Sequence, residues 1–408
     1  MKITVKVLLF VFLFFSFEAK SQNEPLAILL TWTNDPSTTV CVDWHTLEKQ
    51  PQSLFYREKG TSEWQNIKSK TYPFPFSDRI IHRVGLEKLK PGTSYQLKFG
   101  TDETVYFFNT MPLNTVNAPI RIAIGGDTMH EKEMLERTNK QVARFDPHFV
   151  VMGGDLAYEN GKAEGVGKVY DWLDICKKTL ITGENRIIPI VVGLGNHEVV
   201  GGNYSKEKFS GNDEDREKHA PYFFNLFAFP GQPGYNVLDF GNYLSLFILD
   251  SGHTNPIRGK QTEWLASELK KRKDFLHIIP VYHVPAYPSV REFKGVSSEE
   301  VRTNWLPLFE KHKVKIAFEN HDHAYKRTFP IKEGKVDERG IVFLGDGAWG
   351  VKVREVHPVG ETWYLKQALS QRHFILLTIE GSHQQLTVVN EDGEIIDTYP
   401  EAVHLKAK

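Results

Sequence analysis

The chain has 408 residues, and at roughly 150 residues per average domain that is length for two or three domains. Its 40% hydrophobic and 25% charged residues lie in the globular range, which excludes a disordered, collagen-like or coiled-coil chain. With 50 Lys and Arg against 51 Asp and Glu the net charge is -1, so no bulk field exists to hold nucleic acid or anionic lipid, and any anion must be caught locally.

Lys2 and Lys6 precede an apolar run over 7–17, and Glu18-Ala19-Lys20-Ser21 puts small residues at the minus-three and minus-one positions of a cut after Ser21. Residues 1–21 therefore read as a secretory signal peptide, and export to a periplasm or to the outside of the cell is expected. The run is shorter than the roughly 20 apolar residues that cross a bilayer as a helix, no Cys follows it, and no later stretch is long enough to span. A stable membrane anchor is not expected. The two cysteines, Cys41 and Cys176, cannot build a disulfide framework or a thiolate zinc cluster. They fall in what read as separate domains and are expected as buried free thiols.

Between 22 and 113, short runs alternate apolar and polar residues with no helical stretch between them: 27–32, 38–44, 53–57, 94–99 and 105–109. This spacing predicts a small β-sandwich. The stretch Leu89-Lys90-Pro91-Gly92-Thr93-Ser94-Tyr95 resembles the tyrosine corner of fibronectin type III domains, where a Tyr hydroxyl ties a strand start to the backbone just before it. The sandwich carries no convergent titratable groups, which favours a structural companion over an adhesion or carbohydrate-binding module.

Past 114–118 the pattern changes to apolar runs separated by helical stretches such as 132–145, 169–180 and 261–271, an α/β layer architecture. Five apolar runs end in ligand-type residues. They precede Gly125-Gly126-Asp127, Gly153-Gly154-Asp155-Leu156-Ala157-Tyr158, Gly195-Asn196-His197-Glu198, His283, and Glu319-Asn320-His321-Asp322-His323. Ligands collect at the carboxyl ends of strands in open α/β sheets, so these tips are expected to converge on one pocket.

The residue types suit two hard or borderline metal ions sharing a carboxylate. Asp127 and Tyr158 are oxygen donors, Asp155 can bridge, Asn196 offers a neutral carbonyl, and His283, His321 and His323 supply imidazoles. Seven donors are too many for one ion. Two carboxylates and a potential phenolate can surround one position, while the other has the shared carboxylate and three neutral donors, an asymmetry that favours a trivalent ion beside a divalent one. Singly each motif is weak: Gly-Gly-Asp is a common turn, and a lone His at a strand end is usually a satisfied core residue. The ordered conjunction of five is what carries the reading.

That ordered set, extended by Ala324-Tyr325, resembles the five-motif signature of metallophosphoesterases and, within them, the purple acid phosphatases. Many other metallophosphoesterases place Asp-x-His in the first motif, whereas this sequence has Asp127-Thr128-Met129 with His130 displaced by one, and Tyr158 corresponds to the purple enzymes' tyrosinate ligand. The segment 235–250 and Gly259-Lys260-Gln261 also look like family segments. The resemblance implies a fold in which an N-terminal all-β sandwich (22–113) precedes a four-layer αββα metallophosphoesterase domain (119–400). It also implies that Asp127, Tyr158 and His323 hold Fe(III), that Asn196, His283 and His321 hold a divalent ion (Zn, Fe or Mn), and that Asp155 bridges them. The expected activity is hydrolysis of a phosphorylated small molecule, a phosphate monoester, by a metal-bound hydroxide, with an acidic optimum. His197 is the candidate catalytic residue that hydrogen-bonds the phosphate or assists the leaving group, or else only orients its motif.

Two positions depart from the family pattern. Asn320 stands where the family has Gly, a change Asn accommodates if the position needs a positive φ. The segment 287–295 lacks the histidines with which plant-type relatives line the pocket, so the resemblance assigns no proton donor there. The charged loop 201–219 reads as a solvated face or as a shaper of substrate access. The region 373–399 alternates again, with a hairpin turn at Asn390-Glu391-Asp392-Gly393, and is expected to complete the second sheet of the catalytic domain. Two other readings use the same residues: a metal-dependent phosphodiesterase or nucleotide pyrophosphatase, and a non-enzymatic surface adhesion protein with a structural metal site.

Overall fold

The computed structural model describes residues 24–400; the expected signal peptide and the tail 401–408 lie outside them. Two four-stranded sheets build the N-terminal sandwich. One runs Ala27–Thr31, Val40–Thr46, Ile80–Leu86, Lys70–Pro73, and the other Gln65–Lys68, Ser53–Glu58, Ser94–Phe99, Tyr106–Asn109. The tyrosine corner is present: the Lys90 backbone N–H donates to the Tyr95 hydroxyl at 2.9 Å. Cys41 and Cys176 are both free and buried.

Two further sheets form the α/β part. The first runs Ile190–Val192, Phe149–Met152, Ile120–Gly125, His373–Glu380, His383–Asn390, Ile395–Tyr399. Its first three strands are parallel, and His373–Glu380 pairs antiparallel with Ile120–Gly125. The C-terminal strands thus complete the sheet that carries the first three motifs, and the expectation that they finish the other sheet is corrected. The register explains it, because Ile375, Leu377 and Ile379 join Ile122 and Ile124 in the core between the sheets. The second sheet has seven strands, of which Leu244–Ile248, His277–Val281, Ile316–Glu319 and Val342–Gly345 are parallel neighbours.

Period-two alternation sorts these strands into layers. Ile122, Ile124 and Val151 meet Leu246, Ile248, Ile279 and Phe318 between the sheets. Ala123, Val150 and Met152 face outward onto Leu135, Val142, Trp172 and Cys176 of helices Lys132–Arg144 and Val166–Leu180. On the far side, Phe247, Ala317 and Phe343 face Leu265, Val301 and Phe309 of the other helices. Strands buried on both faces read as unbroken apolar runs, as these do. The result is four layers, helix, sheet, sheet, helix.

The sandwich closes one end of that double sheet. Trp32, 1% exposed, stands edge-on to Phe149 (5.4 Å between centroids) and Phe240 (5.8 Å), which stack on each other at 5.0 Å. Phe149 opens its strand, so this plug lies at the amino ends of the parallel strands, away from their ligand-bearing tips. Removing such a buried indole costs about 3–5 kcal/mol. Arg83 adds a bidentate pair with buried Asp43 and reaches the carbonyls of Asn225 and Leu226, so the sandwich is tied to the four-layer part.

Candidate metal centre

All five tips leave their strands at the carboxyl end and turn at once. Asp127, Asp155, Tyr158, His321 and His323 have φ of 56°, 53°, 58°, 79° and 61°. A non-glycine residue held there costs on the order of 1–3 kcal/mol, and such strain concentrates at functional sites. Asn320 is not among the positive-φ residues; the left-handed turn falls on the histidines that flank it at 321 and 323, which corrects the expectation for Asn320. Asn320 is instead buried at 1% exposure, donates from Nδ2 to the Tyr282 carbonyl at 2.9 Å, and lies over two glycines. A Cβ on Gly126 would sit 2.5 Å from its Oδ1, and one on Gly153 would sit 2.2 Å from its Nδ2. The glycines before Asp127 and Asp155 therefore make room for this side chain.

The seven candidate donors come together. Asp127, Asp155 and His323 offer atoms all within 4.8 Å of one another, as do Asp155, His283 and His321. Asp155 belongs to both groups. Tyr158 joins the first: its hydroxyl donates to Asp127 Oδ1 at 3.2 Å and is 3.1 Å from His323 Nε2. Asn196 joins the second, with Oδ1 3.2 Å from His283 Nε2, and His321 Nδ1 is 3.1 Å from the same nitrogen.

The charge distribution fits cations. Burial alone would raise the Asp155 carboxyl, but His283 at 3.2 Å outweighs it and holds the carboxyl below the usual range. Burial works against a charged His283, and Asp155 overcomes it, raising the ring to about 9. Burial, with His283 beside it, keeps His321 neutral, and burial plus Asp127 keeps the Tyr158 phenol protonated. Asp155 and His283 thus favour each other's charged forms at the position the two donor groups share, and ligand atoms shed protons when they bind metal. Buried carboxylates, imidazoles, an amide carbonyl and a phenol are a donor set that suits two hard or borderline metal ions.

His197 lies against the first group. Its ring is 4.3 Å from that of Tyr158, its backbone N–H donates to Asp155 Oδ1 at 2.7 Å, and its Nδ1 is 2.6 Å from Asn160 Oδ1. His130, one place beyond the family's usual histidine, is not in either donor group; it packs edge-on against Tyr158 (4.5 Å) and His323 (5.2 Å).

Several supporting residues escaped the sequence reading. Glu198 is buried and accepts from the backbone N–H groups of Asp155 (2.8 Å), Leu156 (2.7 Å) and Gly195 (2.7 Å), tying the second tip to the third. Its place in Gly195-Asn196-His197-Glu198 was the available signal. Lys326, fully buried, pairs with Glu319 at 2.5 Å and Asp346 at 3.1 Å. Glu319 then accepts from Tyr282 and the Ala286 N–H, and Asp346 from Ser289, which fixes both sides of the loop after His283. No local pattern announces a Lys under a metal site. The loop 201–219 is anchored by the Tyr204 N–H on Gly252 and brings Asn203 to the cleft beside His321.

Comparison with known proteins agrees with this arrangement. Residues 25–110 match the family model of the purple acid phosphatase N-terminal domain, and residues 120–325 that of the calcineurin-like phosphoesterases. Purple acid phosphatase 21 of Arabidopsis thaliana is 28% identical over 73% of this chain, which spans 64% of that relative's length. Acid phosphatase type 7 of Mus musculus is 25% identical over 92% of this chain and 87% of its own. The structure of a purple acid phosphatase from yellow lupin (Lupinus luteus) seeds superposes with a TM-score of 0.75 at 19% identity, covering 92% of this chain and 74% of that one. With both domains matched in order and the candidate donors gathered at one set of strand tips, the chain belongs to the calcineurin-like phosphoesterases, in their purple acid phosphatase-like branch.

Proposed function

We propose that the protein is an exported acid phosphatase that hydrolyses phosphate monoesters at a binuclear metal centre. The observation that carries this reading is the pair of donor groups that share Asp155. Asp127, Tyr158 and His323 would hold Fe(III), Asn196, His283 and His321 a divalent ion, and Asp155 both. Two cations in that position polarise phosphate oxygens, offset the charge that develops on them and lower the pKa of a bound water.

The chain's own residues supply the rest. The left-handed turns and the Glu198 bonds hold the donors before any ion arrives, so little reorganisation is left for binding. Asn160 engages His197 at Nδ1, which leaves Nε2 to hydrogen-bond a phosphate oxygen or the departing alcohol oxygen. The acidic optimum comes from the named activity of the relatives, and export from the apolar run over 7–17 with its cut site. Among the described residues no helix is long and apolar enough to cross a membrane.

Metal content measured with hydrolysis of 4-nitrophenyl phosphate and bis(4-nitrophenyl) phosphate tests the reading. Two metal ions per chain and preferential cleavage of the monoester support it. Preferential cleavage of the diester moves the protein to the phosphodiesterases, and metal without turnover of either ester makes the centre structural.

A further inference from the structure

A second cavity, of about 600 Å³, shares no wall residue with the cleft beside His321, and none of the candidate metal donors lines it. Neighbours in the loop 201–219 divide the two, with Asn203 on the cleft and Tyr204 on the cavity. Its size is that of a small-molecule site. One side is built around Asp250. The buried Asp250 carboxylate accepts the backbone N–H groups of His253 (2.7 Å), Thr254 (2.9 Å) and Asn255 (2.8 Å). The side-chain amide of Gln261 takes the Asp250 backbone N–H and carbonyl, each at 2.9 Å. These bonds fix the start of helix Lys260–Lys271 at the cavity wall.

The wall holds donors that lack acceptors. Gly259 precedes the helix at φ 80° and has no side chain to cap it, and the backbone N–H groups of Lys260 and Gln261 have no partner among the described residues. A Cβ on Gly259 would meet nothing within 4 Å, so this helix end opens on free space. Tyr235 is an independent sign of a missing ligand. It is 9% exposed and lines the cavity, its ring packs on Trp264 at 4.9 Å, and its hydroxyl has no hydrogen-bond partner among the described residues. Hydroxyls buried to that degree normally have one. Burial raises the phenol's pKa, so the hydroxyl keeps a proton to donate.

Charge favours an anion. Arg216, its side chain 5% exposed, is held by Gln232 at 2.8 Å, by Asn255 at 3.4 Å and by Asp213, which balances it. Asp213 is the one acidic residue on the wall. The positive surplus therefore comes from Lys260, which has no ion-pair or hydrogen-bond partner among the described residues, and from Arg258, whose Nε is 3.8 Å from Glu300 and beyond hydrogen-bond distance. Uncapped amides at a helix start, an ammonium and a phenol facing one space suit a tetrahedral oxyanion, and the helix dipole adds to them. We propose that this cavity is a second phosphate-binding site, separate from the metal centre. It takes a phosphate dianion, free or carried on an organic group, for which Tyr204, Pro233 and Pro256 leave room. The site needs no metal ion and does not rest on the phosphatase reading above.

Calorimetric titration of the metal-loaded protein with inorganic phosphate tests this, and two phosphates per chain are expected. Lys260→Ala should weaken one of the two by about tenfold or more. Tyr235→Phe, which keeps the ring on Trp264, should weaken the same one by about threefold or more. Neither variant should change turnover of 4-nitrophenyl phosphate by more than about twofold, in keeping with a separate site. Asp155→Ala, which disrupts the metal centre, should keep the phosphate that Lys260→Ala loses. Benzylphosphonate, titrated in the same way, separates the two sources: tighter binding than phosphate at this site identifies a ligand with an organic group, and weaker binding identifies free phosphate. A single phosphate that Asp155→Ala loses and Lys260→Ala keeps would overturn the site, as would unchanged affinities in both cavity variants. A single phosphate that Lys260→Ala loses and Asp155→Ala keeps would leave the site standing and count against the phosphatase reading.

Discussion

Glu198 accepts the backbone N–H of Asp155 at 2.8 Å, so the residue shared by both donor groups is held by a carboxylate from the next strand tip. The same carboxylate holds Leu156 and Gly195, which makes it a clasp between the loops that carry the candidate donors Asp155 and Asn196. Asp155 keeps its left-handed φ of 53° against a conformational cost because this clasp over-determines its position.

Glu198→Ala should strand three buried amides at about 1–3 kcal/mol each, lowering Tm, and should weaken metal binding by about 10–100-fold. Glu198→Gln keeps an acceptor and should recover much of the Tm. Thermal melts and metal titration of the three proteins check this; equal values would show that the loops need no clasp.

On the proposed reading Tyr158 would hold Fe(III), and its hydroxyl lies 3.2 Å from Asp127 Oδ1 and 3.1 Å from His323 Nε2. A phenolate on Fe(III) gives a visible charge-transfer band, and Tyr158→Phe should abolish it while Asp127, Asp155 and His323 keep the iron. The measurement is an absorption spectrum beside iron analysis. A wild type that is colourless and free of iron would point to two divalent ions.

The pH dependence of stability should show the buried histidines of the scaffold. His45 is buried in the sandwich with both ring nitrogens unpartnered among the described residues. Burial, reinforced by Arg79 and Arg83, lowers its pKa to about 3, against about 6.5 in the unfolded chain. Below about pH 6.5 the unfolded state takes up a proton that the folded state refuses. Stability is therefore full above that pH and is lost as pH falls toward 3. His148 and His373, each lowered to about 4 chiefly by burial, act in the same sense. His45→Phe should flatten the decline in Tm between pH 6.5 and 4. An unchanged slope would show that this ring is not among the groups responsible.

The site was legible because its chemistry restricts residue types, and parallel strands deliver such residues in chain order to one edge. Asp127, Asp155, Asn196, His283 and His321 each follow an apolar run, which is a local signal. The tyrosine corner at Lys90 and Tyr95 was legible for the same reason. Strand Ile80–Leu86 escaped because His82 points inward, where Thr46 and Ser69 hydroxyls meet its two nitrogens at 2.8 and 3.0 Å, and a polar residue on the core face breaks the alternation. Lys326 and Glu198 gain their roles from partners that only the fold brings near. Asn320 shows the limit of reading φ from residue type: the strain was transferred to His321 and His323, and the Asn side chain took up the space left by Gly126 and Gly153.

The sharing of Asp155 is the feature on which a binuclear centre depends, and metal stoichiometry in two variants tests it most directly. Wild type should hold two ions per chain. His321→Ala removes a donor from one group alone and should hold one, whereas Asp155→Ala removes a donor from both and should hold neither firmly, with turnover falling by more than the about 10–100-fold typical of a supporting residue. An Asp155→Ala protein that retains two ions, or that loses the same single ion as His321→Ala, would contradict the shared carboxylate.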